Sequence, residues 1–143
     1  MSLLDRTIAF TLPAVPKPIV GFFSKRYIAG EGFEDALRVA RDLEKKGACA
    51  TFDILGEFIK TPEEARENTD AFIDLIRQIA AVKFSSLNVS VKLTALGLLL
   101  DRNLCLENMR RLMAAAREVS GFVRIDMEDS ACTDWTLEIY RTL

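Results

Sequence analysis

Apolar and polar residues alternate along three short segments of the chain, and a longer stretch of helical periodicity follows each segment. The segments run from Ala48 to Leu55, from Leu87 to Leu93 and from Phe122 to Met127. Alternation with a period of two predicts β-strands that each have one apolar and one polar face. Their centres recur about every 35 to 40 residues, which is typical of βαβ units in a parallel, right-handed sheet.

Start and stop signals between these segments predict the helices. The predicted helices are Phe33 to Lys46, Thr61 to about Val82, one capped by Asp101 or Asn103 that ends near Ser120, and a last one capped by Asp129, Ser130 or Thr133. The signal is clearest at Thr61, where a capping box with Glu64 places Pro62 at the first helical position. The succession of elements therefore predicts an α/β protein.

The strand faces distinguish between the α/β folds. A central strand of an open, doubly wound sheet is apolar on both faces because helices cover both. Here one face of each strand is polar, with Asp53, Lys92 and Asp126 among its members. Such faces suit the interior of a (β/α)₈ TIM-type barrel, where ligands bind at the C-terminal ends of the strands. The sequence contains neither GxGxxG nor GxxxxGK[ST], which weakens nucleotide-binding alternatives.

Length limits how much of a barrel is present. A complete barrel takes about 250 residues, and this chain has 143. We therefore expect residues 1–32 to form a helical or irregular N-terminal segment. Residues 33–143 are expected to form the first part of a barrel, about three βα units that end within the helix after the third strand.

The amino-acid composition excludes several kinds of binding partner and catalytic site. The net charge is −2, with both signs mixed along the chain, so no nucleic-acid partner is expected. Histidine is absent, which excludes Ser-His-Asp and Cys-His triads and the commonest metal ligand, and no metal is expected. The three cysteines form no CxxC motif, so we interpret them as small apolar fillers in a reducing compartment. Without a long apolar run or a signal peptide, a cytoplasmic location is expected.

Charged residues at the predicted strand ends are the candidates for chemistry. Lys92, Asp126 and Asp53 lie on the polar face of three neighbouring strands, which indicates a structural ion-pair network or a substrate site, and barrel strand ends favour the latter. Lys92 suits a substrate carboxylate, or a Schiff base if it is desolvated. Glu128 and Asp129 could bind a metal, but acids at a helix start more often serve the cap and dipole.

The same strands carry a resemblance to a known family. Phe52-Asp-Ile-Leu-Gly-Glu57, Ser90-Val-Lys-Leu-Thr-Ala-Leu-Gly97 and Val123-Arg-Ile-Asp-Met-Glu-Asp-Ser130 resemble the first three strands of proline dehydrogenases. Arg26-Tyr-Ile-Ala-Gly30 and the helix after it are also similar. The resemblance covers about residues 20 to 143 and is closest to the compact monofunctional bacterial enzymes.

The resemblance implies a flavoenzyme. Members are distorted (β/α)₈ barrels that hold FAD over the strand ends, oxidise L-proline to 1-pyrroline-5-carboxylate and pass the electrons to a membrane quinone. It implies that Lys92 holds the proline carboxylate, that Asp126 is the active-site carboxylate and that Met127 contacts the flavin. It also implies a cytoplasmic enzyme that meets the inner membrane face peripherally. The family's remaining substrate and flavin contacts lie on later strands, so this chain alone is expected to be inactive.

Two alternatives remain from the residues themselves. One is a Schiff-base lyase or aldolase on the same fold, which would use Lys92 as its nucleophile. The other is a partial barrel without catalysis that self-associates through exposed sheet edges, where backbone donors and acceptors lack partners.

Overall fold

A computed structural model describes residues 29–30, 32–56, 59–85 and 87–143 of the chain. Its elements are α1 (Phe33–Glu44), α2 (Pro62–Ala81), β1 (Asn88–Lys92), α3 (Arg102–Glu118), β2 (Phe122–Asp126) and α4 (Thr133–Thr142), with 3₁₀ turns at Thr94–Leu96 and Ser130–Cys132. The chain divides into two compact units, one through Asp42 and one from Leu43 onward. Most of the predicted N-terminal segment, 1–32, lies outside the described residues.

The two strands form a parallel pair, as the βαβ spacing predicts. The register places Val89 opposite Val123 and Lys92 opposite Asp126. In β1 the predicted apolar face is buried, because Val89 and Val91 are completely inaccessible to solvent. Leu93, directly after the strand, continues the same buried face. The helix α3 lies between the two strands in the chain and forms the crossover of a βαβ unit.

The first predicted strand, Ala48 to Leu55, is wrong in extent. Only Phe52 pairs with β1, as an isolated parallel bridge opposite Val89. Its N–H donates to Asn88 O at 2.9 Å, and its carbonyl accepts from the Ser90 N–H at 2.8 Å. Phe52 is buried and meets Phe84 edge-on at 5.7 Å between ring centroids, whereas Leu55 is 91% exposed. The apolar run therefore contributes one anchoring residue instead of a strand.

Local capping signals place α2 and α3 as predicted. Thr61 Oγ1 accepts from the Glu64 N–H at 3.2 Å, and Pro62 occupies the first turn of α2. Asp101, one of the two predicted caps, is the N-cap of α3. Its carboxylate accepts from the N–H groups of Asn103 and Leu104 at 2.7 and 3.3 Å. These bonds satisfy donors that have no partner within the helix.

The start of α4 differs from the prediction. None of Asp129, Ser130 and Thr133 caps the helix through its side chain, because a 3₁₀ turn at Ser130–Cys132 precedes it. The Thr133 hydroxyl instead donates to the Asp129 carbonyl at 3.5 Å. A 3₁₀ turn supplies backbone hydrogen bonds at the helix entrance, so a side-chain cap is not needed there.

The core lies between the sheet and helices α2 and α3. Its largest fully buried side chains include Phe72, Ile76, Ile79, Leu93, Met109 and Leu112. The apolar face of β2 is covered less well, since Val123 and Ile125 are only half-buried. Phe122 at its start is 60% exposed and Tyr140 of α4 is 67% exposed. An apolar groove of about 520 Å³ therefore remains open beside β2.

Candidate active site

A cleft of about 370 Å³ opens at the C-terminal ends of the two strands. Its lining residues are Ile59, Lys92, Thr94, Leu99, Leu100, Met127, Glu128, Asp129 and Cys132. The lining thus combines apolar side chains with charged ones. This is the edge at which parallel-strand barrels bind their ligands.

Lys92 lies among carboxylates, as the strand ends predict. Its Nζ is 3.7 Å from Asp53 Oδ2, with side chains that are 24% and 32% exposed, respectively. Asp126 occupies the register position opposite Lys92 at the end of the ladder. The structure therefore brings together all three charged residues singled out from the sequence. Asp53 reaches this place just after the Phe52 bridge, without a continuous strand.

The charge balance around Asp53 has opposing contributions. Burial raises the pKa of the Asp53 carboxyl above its ordinary value of 3.8, and the negative charge of Asp126 acts in the same direction. The Lys92 ammonium and a hydrogen bond from the Ile54 backbone lower it, but by less. The Lys92 charge outweighs the repulsion from Asp126, so the net rise of the Asp53 pKa comes from burial of the carboxyl. A partly buried carboxyl with a perturbed pKa beside a lysine is typical of a functional site.

Ser90 orients the Asp126 side chain. The Ser90 hydroxyl donates to Asp126 Oδ1 at 2.6 Å, a short distance typical of a hydrogen bond to a carboxylate. Ser90 is 5% exposed, so its hydroxyl is held within the sheet face. Asp126 Oδ1 therefore accepts a hydrogen bond from within the protein. The alternation along the strand predicts that Ser90 lies on the polar face, but it does not predict this hydrogen bond.

Glu128 joins the two chain segments that leave the strands. Its carboxylate accepts from the Thr94 N–H at 3.1 Å through Oε2 and from the Thr94 hydroxyl at 2.5 Å through Oε1. The interpretation of Glu128 as part of a helix cap is therefore wrong. The strand register could have predicted this bond. Lys92 is paired with Asp126, and Thr94 and Glu128 each follow two residues later.

The turn that carries Thr94 is anchored from both neighbouring helices as well. Asn68 of α2 donates to the Ala95 carbonyl and Asn108 of α3 donates to the Leu96 carbonyl, each at 3.1 Å. Gly97 then ends the turn at φ +103°, where a Cβ would lie 3.2 Å from Leu104 Cδ2. A glycine is needed at this position because of both its left-handed conformation and its close packing.

Met127 lies in the cleft and not in the core. If the strand continued to Met127, alternation would place this side chain on the same face as Val123 and Ile125, but the ladder ends at Asp126. Met127 is 55% exposed and lines the cleft with Leu99 and Leu100, which are 60% and 41% exposed. Exposed apolar side chains beside a lysine suit a ligand that has both a flat apolar body and a negative charge.

The cysteines divide into two groups. Cys105 and Cys132 are buried free thiols, as the interpretation of apolar fillers predicts, whereas Cys49 is exposed and does not fit it. Burial, aided by the negative charge of Glu128, raises the pKa of the Cys105 thiol to about 12. Burial also raises the pKa of Cys132, with contributions from Glu128 and Asp129. Both thiols are therefore protonated near neutral pH and weak nucleophiles.

The described residues contain no cluster of three or more cysteine and carboxylate side chains able to hold a metal ion. No helix within 29–30, 32–56, 59–85 and 87–143 has the length and apolar character required to cross a bilayer.

The chain is similar in sequence to one known protein family. Residues 36–143 match the sequence model of the family described as Proline dehydrogenase. The chain is 41% identical over 123 residues to proline dehydrogenase of Deinococcus radiodurans, a match that covers 84% of this chain and 39% of that protein. It is 36% identical over 118 residues to proline dehydrogenase 1 of Bacillus subtilis, with 82% and 39% covered. The chain thus spans well under half the length of these relatives.

A solved structure shows the same fold. The chain superposes on proline utilization A from Bdellovibrio bacteriovorus, inactivated by N-propargylglycine, with a TM-score of 0.74 and 27% identity. The match covers 84% of this chain and 15% of that one. Together with the family match it confirms the predicted fold class, α/β with the first βα units of a (β/α)₈ TIM-type barrel.

Proposed function

Because the chain belongs to the proline dehydrogenase family, we propose that its cleft forms the substrate side of a flavoenzyme active site that oxidises L-proline to 1-pyrroline-5-carboxylate. The observation that carries the proposal is the end of the parallel ladder. There Lys92 lies opposite Asp126, and Met127, the next residue, is exposed in the same cleft.

Lys92 binds the substrate carboxylate in this proposal. Its ammonium is a compact charge on a flexible stem, and it is only 24% exposed. An ion pair with Asp53 at 3.7 Å holds it at the cleft. Such a pair favours the protonated amine, which binds an anion, over the neutral amine that a Schiff base requires. Both this geometry and the family match favour the dehydrogenase over the Schiff-base lyase.

Asp126 is the active-site carboxylate of the proposal. One of its oxygens accepts from Ser90, which fixes the direction of the carboxylate. Oxidation removes a hydride from the carbon beside the ring nitrogen and a proton from that nitrogen. A fixed carboxylate near Lys92 orients the ring so that the substrate is held in one reactive pose.

The residues of the cleft fit FAD as the cofactor. Met127, Leu99 and Leu100 expose apolar surface on which a flat ring packs, and Met127 would contact it. In this proposal bound FAD would supply the hydride acceptor, and a quinone would be the acceptor that reoxidises it. The support for the quinone, and for a cytoplasmic enzyme at the inner membrane face, is the family resemblance.

Anaerobic flavin reduction tests the function. L-proline is added to the FAD-loaded protein that carries these residues, and the visible absorbance of the oxidised flavin is followed. We expect bleaching with L-proline and much less with D-proline, because the carboxylate anchor and the reacting carbon must both be in place. A flavin that stays oxidised with excess L-proline would contradict the proposal.

A second candidate function has support in β2. Within the described residues this strand pairs with β1 alone, and the apolar groove beside it is open. Such an edge is a template for pairing with another chain. Self-association of the 143-residue chain through this edge is therefore the alternative to catalysis.

A further inference from the structure

We infer that Glu128 is a positioning residue of the proposed active site, which clamps Thr94 and so sets the separation between the Lys92 segment and the Met127 segment. The inference rests on the proposed function. It assigns a role to a side chain that the proposed function does not use.

The clamp lies where backbone pairing stops. The ladder ends with Lys92 opposite Asp126, so beyond that pair the two segments are no longer held by strand hydrogen bonds. Two residues further along each segment, both carboxylate oxygens of Glu128 accept from Thr94. The Glu128 side chain thus links the two segments beyond the last residue pair of the ladder, beside the cleft.

The remaining anchors of the turn do not face the cleft. Asn68 and Asn108 hold the carbonyls of Ala95 and Leu96 from the helices. They fix the turn against the body of the domain, whereas Glu128 fixes it against the segment that carries Met127. Glu128 and Thr94 both line the cleft, so a change in their bond shifts the two walls relative to each other.

The expected kinetic signature separates positioning from binding. Lys92 remains in place when Glu128 is replaced, so the carboxylate is still bound and KM changes little. The ring and the flavin-facing wall are no longer aligned, and misplacement of this kind lowers rates by about 10- to 100-fold. Glu128→Ala is therefore expected to lower kcat and leave KM nearly unchanged.

Glu128→Gln is the rescue variant. Its amide oxygen can accept from the Thr94 N–H, and its NH₂ group can donate to the Thr94 hydroxyl. Because this variant keeps the clamp and removes the charge, it should retain most of the kcat. Asn68→Ala is the matched control, since it removes one hydrogen bond from the same turn on the helix side and should leave kcat unchanged.

The test measures kcat and KM for L-proline in the FAD-loaded protein, together with amide hydrogen exchange at Thr94. Glu128→Ala should lose kcat and accelerate Thr94 exchange, whereas Glu128→Gln and Asn68→Ala should keep kcat. Unchanged exchange at Thr94, an equal loss in Glu128→Gln, or an equal loss in Asn68→Ala would each overturn the inference. An FAD-loaded protein that carries this chain within a complete barrel and does not oxidise proline rejects the proposed function, and the exchange rate at Thr94 then decides on the clamp alone.

Discussion

Replacing Lys92 by Met tests the carboxylate anchor most directly. The substitution keeps an unbranched side chain that is one atom shorter and removes the charge. We expect a higher KM for L-proline in the FAD-loaded enzyme, because the substrate carboxylate loses its cation. The probe that distinguishes the role of Lys92 is L-prolinamide, which has the same ring and reacting carbon but no negative charge.

The size of the effect follows from the geometry. A charge-assisted contact contributes about 1.5–3 kcal/mol, which corresponds to about a 10- to 150-fold change in affinity. At 3.7 Å from Asp53, Lys92 also has a Coulomb attraction of about 4 kcal/mol at an effective dielectric constant of 20, before desolvation is counted. Removal of Lys92 therefore leaves the negative charges of Asp53 and Asp126 without their cation. We expect a moderate decrease in the free energy of unfolding together with the weaker binding of L-proline.

The assay compares KM for the two substrates in stopped-flow flavin reduction. Lys92→Met should raise KM for L-proline by at least about tenfold and leave KM for L-prolinamide nearly unchanged. Lys92→Arg keeps the charge and serves as the folded control. Equal losses with both substrates would refute the carboxylate role, and an adduct trapped on Lys92 by borohydride with a keto acid would favour the lyase.

Three further outcomes are expected. Asp126→Ala should lower kcat more than it lowers the free energy of unfolding, since Asp126 is only partly buried and accepts a hydrogen bond from Ser90 of the neighbouring strand; residual folded enzyme that keeps its rate in kinetic assays would make Asp126 a structural residue. The buried Cys105 thiol has a pKa of about 12 against an ordinary 9.0, so the unfolded chain loses this proton first as the pH rises. Urea unfolding should show wild-type stability falling above pH 9.0, by up to about 1.4 kcal/mol per pH unit, and a shallower slope in Cys105→Ala; parallel slopes would contradict the burial argument. The 143-residue chain by itself should be colourless with FAD, inactive with proline and dimeric or larger through the β2 edge; light scattering that shows a monomer with a bound flavin spectrum would contradict this.

Local signals explain why much of the fold could be predicted. The α2 helix starts at its capping box because Thr61 and Glu64 are neighbours in the chain, and their bond forms wherever the helix forms. The same holds for Asp101 at the start of α3. In β1 the strict alternation of Val89, Val91 and Leu93 leaves a single burial pattern compatible with an apolar core.

Elements that depend on distant partners were predicted less well. Residues 48 to 55 have the composition of a strand, but a strand exists only along the length for which a neighbour offers hydrogen bonds. Here β1 offers them to Phe52 alone. The position of Met127 has a similar cause, because alternation carries a side chain into the core only while the ladder continues, and the ladder ends one residue earlier.

The candidate site depends on the register of the parallel pair, which no local pattern determines. The sequence indicates that Lys92, Thr94, Asp126 and Glu128 lie on polar faces. Their chemistry arises because Val89 is paired with Val123, which brings Lys92 opposite Asp126 and Thr94 within reach of Glu128. A slip of one residue would oppose Lys92 to an apolar side chain and turn Asp126 away from it. The pairing of Val89 with Val123 at one end of the strands thus decides the electrostatics at the other end.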